Sequence, residues 1–135
     1  MGQPSETKDD RSYTKEHEWA LLEGDEVVVG ITAFAVDQLG DVTLVGIDVK
    51  VGASIEARQT FGTIESVKTL SDLFAPESGV ITRINGDLEK APELVNEDPW
   101  KKGWMIAIKP SKLAEEKASL LDATAYHAHL VASAH

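Results

Sequence analysis

Short β-type runs, each closed by a turn signal, are the feature that most restricts how this chain can fold. Alternating or β-branched residues recur between residues 13 and 110, and glycine, proline or acidic residues separate the runs. The runs cover residues 20–22, 26–32, 41–47, 51–65, 71–85 and 104–110. About seven short strands with regular turns are typical of a barrel or a sandwich. We therefore predict a mainly β domain over residues 13–110.

Helical signals appear after the second strand and again near the end of the chain. Thr32 can cap a short helix over Ala33–Leu39, and Gly40 stands just beyond it. Apolar residues recur near helical spacing within residues 111–135, where Asp122 can cap a second short helix. We expect two helices in this segment, packed on the outside of the β body as part of the same domain.

The amino-acid composition excludes several kinds of chemistry and of partner. The 135 residues include no cysteine, so disulfides, a thiolate nucleophile and cysteine-ligated metals are ruled out. The 13 Lys and Arg and 23 Asp and Glu residues give a formal net charge of −10, which repels nucleic acid and anionic membrane surfaces. We expect a monomer that docks on basic patches of partner proteins, with neither nucleic acid nor membrane as a partner.

Residues 1–12 are polar and mixed in charge. They have neither the apolar stretch of a secretory signal nor the acid-poor, arginine-rich pattern of a mitochondrial leader. No apolar run approaches the ~18 residues that a membrane-spanning helix needs. We expect a flexible amino-terminal tail over residues 1–12. We also expect a cytoplasmic protein if the source is bacterial, or a mitochondrial matrix protein if the chain is a mature eukaryotic form.

The common catalytic and metal-binding patterns are weak in this sequence. His127 and His129 are two residues apart, so on a helix they point in different directions. The HEWAL segment at His17 lacks the second histidine of a zinc helix, and nothing resembles a Ser-His-Asp set. We predict no metal site and no active site. The acidic residues expected on a solvated face are Glu65, Asp72, Glu77, Glu89, Glu93, Glu97 and Asp98.

Lys68 stands near the middle of a predicted strand pair with the sequence FGTIESVKTLSDLFAP. On both sides the residues alternate as in a half-buried strand, and Gly62 marks a close backbone approach. The residues expected to point inward are Ile64, Val67, Leu70 and Phe74. The centre of the run has no Gly, Pro or Asn for a tight turn, so we place Lys68 on a hairpin tip. From the residue pattern alone, an ordinary surface lysine remains the favoured interpretation.

Several segments around this hairpin resemble, in order, the glycine cleavage system H-protein family. They are YTKEHEW at 13–19, VGIT and LGDV within 29–42, GTIESVKTLSDLFAPESG at 62–79, LVNEDPWKKGWM at 94–105 and LLDATAY at 120–126. Lipoyl domains of 2-oxo acid dehydrogenases and biotinyl domains share the lysine hairpin. Biotinyl hairpins usually carry Met on both sides of the lysine, where this chain has Val67 and Thr69. The EHEW and LVNEDPW segments point to H proteins specifically.

The resemblance implies a barrel-sandwich hybrid fold of the lipoyl/biotinyl type, with lipoate amide-linked to Lys68. The lysine must lie outside the core, where a lipoate ligase or a lipoyl/octanoyl transferase can reach it, and on a rigid hairpin that presents the arm. In the family, a glycine decarboxylase loads an aminomethyl group onto the arm and an aminomethyltransferase removes it. A dihydrolipoamide dehydrogenase then reoxidises the dithiol. The family member itself is a carrier without an active site of its own.

The resemblance also implies a surface cleft for the loaded arm, with Glu18 and Asp72 at the positions whose carboxylates hold the amine. Glu16 occupies a position that can be serine in relatives. Two departures concern partner fit or cleft shape. Phe34 stands where the family usually has histidine, and the 41–52 segment lacks the usual Leu-Pro and is one residue longer. They keep open a second interpretation, a lipoyl carrier that relays lipoate to other proteins or serves another pathway.

Overall fold

The computed structural model describes residues 7–133, and this part of the chain forms nine strands and five helices. The strands are β1 Ser12–Tyr13, β2 Glu18–Glu23, β3 Glu26–Ile31, β4 Val42–Ile47, β5 Ser54–Ile55, β6 Thr60–Ser66, β7 Leu70–Phe74, β8 Gly79–Ile84 and β9 Ile106–Pro110. The helices are α1 Ala33–Leu39, α2 Asp87–Lys90, α3 Leu94–Glu97, α4 Leu113–Lys117 and α5 Ala123–Ser133. The mainly β prediction is confirmed, as are the helix after the second long strand and the two carboxy-terminal helices.

The strands form two antiparallel sheets. The larger sheet has the order β1-β2-β3-β9-β8-β5, and the smaller has the order β4-β6-β7. One hydrophobic cluster takes buried side chains from both sheets, for example Val29 and Ile108 from the larger and Ile64 from the smaller. The main core therefore lies between the two sheets, as the predicted barrel-sandwich hybrid requires.

A second hydrophobic cluster holds α5 against the opposite face of the larger sheet. It contains Tyr126 of α5 together with Tyr13 and Trp19 from β1 and β2. The rings of Tyr13 and Tyr126 stack with their centroids 4.5 Å apart. Asp122 caps the helix, because its Oδ1 accepts a hydrogen bond from the Ala125 N–H at 2.8 Å. The predicted Asp122 cap is confirmed, and α5 packs outside the β body.

Three local predictions made from glycine and threonine positions are also confirmed. Thr32 Oγ1 accepts a hydrogen bond from the Ala35 N–H at 3.2 Å and so caps α1. Gly40 ends the helix at φ 77°, a left-handed conformation that favours glycine. A Cβ on Gly62 would collide with the carbonyl oxygen of Gly46 on the neighbouring strand, which is the close approach expected there.

The amino-terminal segment is better anchored than the sequence suggested. Residues 1–6 lie outside the described residues, so the predicted tail over 1–12 is visible only in its second half. Arg11 is 9% exposed, and its guanidinium carbon lies 4.7 Å from the Trp19 ring centroid. The same guanidinium donates a hydrogen bond to the carbonyl oxygen of Trp100 at 3.0 Å. Cation–π contacts and this hydrogen bond therefore tie the segment to the body at Arg11.

Two short helices occupy a region that the sequence suggested to be turns and loops. Helices α2 and α3 have four residues each. Each inserts one buried apolar side chain into the main core, Leu88 from α2 and Val95 from α3. A single helical turn is too short to show a periodic pattern, so these elements could not be recognised in the sequence.

Glu77 does not lie on a solvated face as predicted. It is 1% exposed and lies close to Glu116 and Lys117 of α4. Burial raises the pKa of Glu77 to about 7, and the neighbouring Glu116 carboxylate adds to this effect. Glu116 in turn accepts hydrogen bonds from the N–H and the hydroxyl of Ser78, both at 2.6 Å. The prediction failed because α4 comes from a distant part of the chain.

Candidate functional site

Lys68 lies exposed on the turn between β6 and β7, and Ser66 makes this turn without glycine, proline or asparagine. The Ser66 N–H donates to the carbonyl oxygen of Thr69 at 2.8 Å. Its hydroxyl oxygen accepts from the N–H groups of Lys68 and Thr69, both at 3.2 Å. Serine hydroxyls can bond the backbone ahead of them in this way. The Ser66 side chain therefore fixes the backbone on both sides of the lysine.

The residues on either side of the lysine point outward, contrary to the prediction. Val67 is 66% exposed and Leu70 is 63% exposed, whereas Ile64 and Leu73 are buried. Leu70 pairs with Glu65 across the hairpin, and cross-strand partners share a face of the sheet. The turn therefore shifts the inward–outward alternation of β7 by one position from the predicted one, and the sequence alone did not reveal this shift.

A cleft of about 280 Å³ opens beside β7, next to the hairpin tip. Its walls come from α1, from the β6–β7 hairpin and from the turn that leads into β2. The apolar lining residues are Ile31, Phe34, Ala35, Leu39, Ile64 and Leu73. The polar lining residues are Glu16, His17, Glu18, Gln38, Thr69, Ser71 and Asp72. An apolar cleft with a few polar groups is the usual form of a small-molecule site.

Glu18 is the buried carboxyl group of this cleft, with 2% of its surface exposed. Its Oε1 accepts a hydrogen bond from the Thr14 hydroxyl at 2.5 Å, and its Oε2 accepts one from the Phe74 N–H at 3.2 Å. Burial raises the pKa of Glu18 to about 7, although these hydrogen bonds oppose the shift. The group can therefore gain or lose a proton near neutral pH, and a cation in the cleft would favour the carboxylate.

Asp72 lies at the rim of the cleft and is exposed. It pairs with Thr63 of β6, whereas Ser71 pairs with Ile64. Successive side chains of a strand point to opposite faces of the sheet. Ser71 therefore lies on the same face as Ile64, and Asp72 lies on the opposite face with Thr63. The structure thus brings Glu18 and Asp72 to the same cleft, but at different depths.

A histidine–tyrosine contact behind the cleft was missed by the sequence reasoning. The Tyr126 hydroxyl oxygen lies 2.8 Å from both His17 Nδ1 and Thr32 Oγ1. Burial and the nearby His129 lower the pKa of His17 to about 4, so its ring is neutral at neutral pH. His17 also has φ 74°, which is uncommon for a residue other than glycine. Through this contact α5 supports the turn that leads into β2, where Glu18 is the first residue. No local signal joins His17 and Tyr126, which are 109 positions apart.

Phe34 and Glu16 border the same cleft in different ways. The Phe34 ring centroid lies 4.6 Å from that of His17, so this side chain extends the apolar wall up to the imidazole. Glu16 is exposed, and its Oε1 lies 3.9 Å from an Arg58 guanidinium nitrogen. An exposed pair of this kind contributes only ~0–1 kcal/mol to stability. Phe34 therefore shapes the cleft more than Glu16 does.

The histidines near the end of the chain do not form a metal site in the described structure. His127 is exposed on α5, and His129 is half-buried with its ring 5.8 Å from that of His17. Within residues 7–133 no group of three or more His, Asp or Glu side chains could hold a metal ion. The same residues contain no helix with the length and apolar character needed to cross a membrane.

Comparison with known proteins decides the family. The family model described as glycine cleavage H-protein matches residues 11–133. The chain belongs to the glycine cleavage H-protein family. A glycine cleavage system H protein from Magnetococcus marinus is 55% identical over 118 residues, which are 87% of this chain and 83% of the relative. That from Nitratidesulfovibrio vulgaris is 46% identical over 100% of both chains.

A solved structure supports the same assignment. The crystal structure of a glycine cleavage system H protein from Mycobacterium marinum superposes with a TM-score of 0.81 and 38% sequence identity. The match covers 90% of this chain and 97% of that chain. The H-protein family consists of lipoyl carriers within the glycine cleavage system, and its fold is the barrel-sandwich hybrid described above.

The residues around Lys68 fit a lipoyl group. The lysine is exposed on a turn whose backbone is hydrogen-bonded on both sides. A Cβ on Gly40 would lie 3.3 Å from Lys68 Cε, so the lysine stem crosses the carboxy-terminal end of α1. Residues of α1 such as Phe34 and Leu39 form the apolar wall of the adjoining cleft, which suits a hydrocarbon chain. The lysine stem and the cleft thus both adjoin α1.

Proposed function

We propose that this chain carries lipoate in amide linkage to Lys68 and shuttles the aminomethyl group of glycine within the glycine cleavage system. The observation that supports this most directly is the position of Lys68, exposed on a fixed turn beside an apolar cleft. An ordinary surface lysine would need neither feature. The amino group is accessible to a lipoate ligase or a lipoyl/octanoyl transferase, while its stem already lies against the end of α1.

The chemistry comes from the attached group and from partner enzymes. When bound, the lipoyl dithiolane supplies a disulfide that accepts the aminomethyl group together with two electrons. A glycine decarboxylase loads the protein, an aminomethyltransferase unloads it, and dihydrolipoamide dehydrogenase restores the disulfide. The chain contains no cysteine that could compete in these exchanges. Its own contribution is presentation and shelter, so we propose a carrier without an active site, located in the bacterial cytoplasm as in a bacterial glycine cleavage system.

Glu18 and Asp72 are the groups that we propose to shelter the cargo. The amine of the loaded arm is a cation at neutral pH, and a hydrogen bond from a charged donor in a partly dry cleft gives about 1.5–3 kcal/mol. Glu18 offers a buried carboxyl whose pKa of about 7 would fall on contact with that cation. Asp72 at the rim adds a more screened attraction. The apolar wall keeps water away from the cargo.

The test is a reconstituted assay with purified glycine decarboxylase, aminomethyltransferase and dihydrolipoamide dehydrogenase. After treatment with a lipoate ligase, the parent chain should gain one lipoyl group, and peptide mapping should place it on Lys68. Lys68→Arg keeps the positive charge but should gain none and support no glycine-dependent ammonia release. Lipoylation of the arginine variant at another lysine, or full activity without lipoylation, would overturn the proposal.

A further inference from the structure

The segment over residues 40–42, against which the lysine turn packs, is bonded by a side chain of α3. Asn96 Nδ2 donates a hydrogen bond to the carbonyl oxygen of Gly40 at 2.8 Å. Asn96 Oδ1 accepts one from the N–H of Val42, also at 2.8 Å. A side-chain amide can make both bonds at once because it carries a donor and an acceptor. Asn96 therefore clamps the chain on both sides of Asp41.

The lysine turn rests on this clamped segment. The N–H of Val67 donates a hydrogen bond to the carbonyl oxygen of Asp41 at 3.0 Å. A Cβ on Gly40 would lie 3.6 Å from Val67 Cγ2 and 3.3 Å from Lys68 Cε. The backbone of the turn and the stem of the lysine thus both touch residues that Asn96 holds.

Helix α3 is itself fixed in the core. Val95, the neighbour of Asn96, is fully buried. A Cβ on Gly103 would lie 3.0 Å from the Val95 Cα and 3.1 Å from the carbonyl oxygen of Leu94, so the following loop packs closely on the helix. Each part therefore contacts the next: the core holds α3, Asn96 of α3 bonds the 40–42 segment, and that segment bonds the lysine turn.

We propose that Asn96 is a positioning residue for Lys68, and this inference rests on the proposed role of Lys68 as the lipoyl-bearing residue. Asn96 does not touch the lysine. By fixing the 40–42 segment it holds the turn so that the lysine stem lies against Gly40. Without the two Asn96 hydrogen bonds, the turn would no longer be held against the 40–42 segment. The Lys68 amino group would then spend less time in the geometry that a lipoate ligase requires.

Asn85 provides a matched control. Like Asn96, it is an asparagine whose side chain bonds to backbone groups, although it is more buried, at 7% exposed. Its Nδ2 donates to the carbonyl oxygens of Lys102 and Trp104 at 2.9 and 2.8 Å. Its Oδ1 accepts from the N–H of Asp87 at 3.2 Å. None of these partners lies on the lysine turn or lines the cleft. Loss of Asn85 should therefore lower stability in a similar way without reaching Lys68.

The experiment compares Asn96→Ala and Asn85→Ala by two measurements. The first is hydrogen exchange at the Val67 amide in the unmodified protein, followed by NMR. The second is the kcat/KM for lipoylation by a lipoate ligase supplied with lipoate and ATP, followed by intact mass. We expect Asn96→Ala to speed Val67 exchange by about tenfold and to lower kcat/KM by about five- to tenfold, since each lost bond has a modest net free energy. Asn85→Ala should leave both within about twofold of the parent.

A second variant keeps the test decisive if Asn96→Ala does not fold. Asn96→Asp keeps the acceptor for Val42 but places a second acceptor against the Gly40 carbonyl oxygen in place of the donor, so both measurements should change in the same direction. Unchanged Val67 exchange and unchanged lipoylation in a folded Asn96 variant would overturn the inference, as would equal losses in the Asn85 variant. A parent protein that takes no lipoyl group at Lys68 would instead overturn the proposed function, and Val67 exchange would still test the clamp.

Discussion

Glu18 and Glu77 are two buried carboxyl groups with similar acidity in very different surroundings. They are 2% and 1% exposed, and burial raises the pKa of each to about 7. Glu18 has hydrogen-bond donors on both oxygens, the Thr14 hydroxyl and the Phe74 N–H. Glu77 has a second carboxylate, Glu116, as its neighbour. Among the described residues its Oε1 has no hydrogen-bond partner.

The difference shows that burial and a raised pKa do not by themselves identify a functional carboxylate. Glu18 lines a cleft that adjoins the lysine turn. Glu77 lies beside α4, on a loop whose Ser78 donates two hydrogen bonds to Glu116 of that helix. Perturbed carboxyl groups gather at functional sites, but structural pairs produce the same shift. What separates the two groups is that Glu18 lines the cleft next to the Lys68 turn, whereas Glu77 does not.

The largest expected difference between them is in the protection of the cargo. Glu18→Gln should speed spontaneous ammonia release from the loaded protein by about 10- to 100-fold, because a charged hydrogen bond of about 1.5–3 kcal/mol is lost. Glu77→Gln should release ammonia at the parent rate. The measurement is to load the arm, remove the decarboxylase and follow ammonia at fixed pH.

Each variant needs to be lipoylated to the same extent before this comparison, which intact mass can establish. Equal release rates in the parent and in Glu18→Gln would show that Glu18 does not hold the amine. Faster ammonia release from Glu77→Gln than from the parent would mean that Glu77 also protects the aminomethyl group, so the two glutamates would not differ in function.

A second expected effect is shared by both groups and concerns the pH dependence of folding. The native pKa of about 7 exceeds the usual value of 4.5 for glutamate, so the native state binds more protons than the unfolded state between these values. The free energy of unfolding should therefore fall as the pH rises from about 5 to 8. Glu18→Gln or Glu77→Gln should each remove about 1–3 kcal/mol of that fall.

Urea unfolding of the parent and both variants at pH 5 and pH 8 measures this effect. A variant whose stability falls with pH as steeply as that of the parent would mean that its glutamate does not have a raised pKa. Because both glutamates should respond, this experiment tests the electrostatics and the ammonia experiment tests the function.

Asp72 should have a smaller effect than Glu18 on the same release rate. It is exposed at the rim, and an exposed ion pair gives at most ~1 kcal/mol, or about a fivefold change in rate. Asp72→Asn should therefore speed ammonia release by less than about fivefold, and the effect should shrink in 0.5 M salt. A change as large as that of Glu18→Gln would mean that Asp72 reaches further into the cleft than its strand register indicates.

The smallest expected effect is that of Lys68→Ala on stability. The side chain is exposed, and the bonds of the turn come from Ser66 and the backbone. Surface substitutions of this kind usually change the free energy of unfolding by less than ~0.5 kcal/mol. Chemical denaturation should show this small change in the free energy of unfolding. Intact mass should show that the variant gains no lipoyl group. A loss of several kcal/mol would mean that Lys68 has a structural role.

Much of the fold could be predicted because its signals are local. The Thr32 cap, the stop at Gly40 and the Asp122 cap depend on residues within one helical turn of each other. The strands likewise follow from alternation and turn residues. The outward Leu70 was missed since its face is set by pairing with Glu65 across the turn, not by its own neighbours in the sequence.

The candidate site divides in the same way. Lys68 and the hairpin that bears it were found from the sequence and from its resemblance to the family. The depth of Glu18, the rim position of Asp72 and the His17–Tyr126 contact required the folded chain. Burial depends on which distant elements cover a residue, and a carboxyl group acquires its raised pKa only when they do.

The sequence by itself therefore determined which residues form the main strands and that Lys68 lies on a hairpin turn, because both depend on a few neighbouring residues. Only the tertiary structure decided that Glu18 is buried in the cleft next to the lysine turn and that Glu77 is buried beside α4 instead. It also placed Asn96, from a four-residue helix, under the lysine turn. These arrangements join segments more than 35 residues apart, and the packing of the two sheets and α4 brings them together rather than any pattern along the chain.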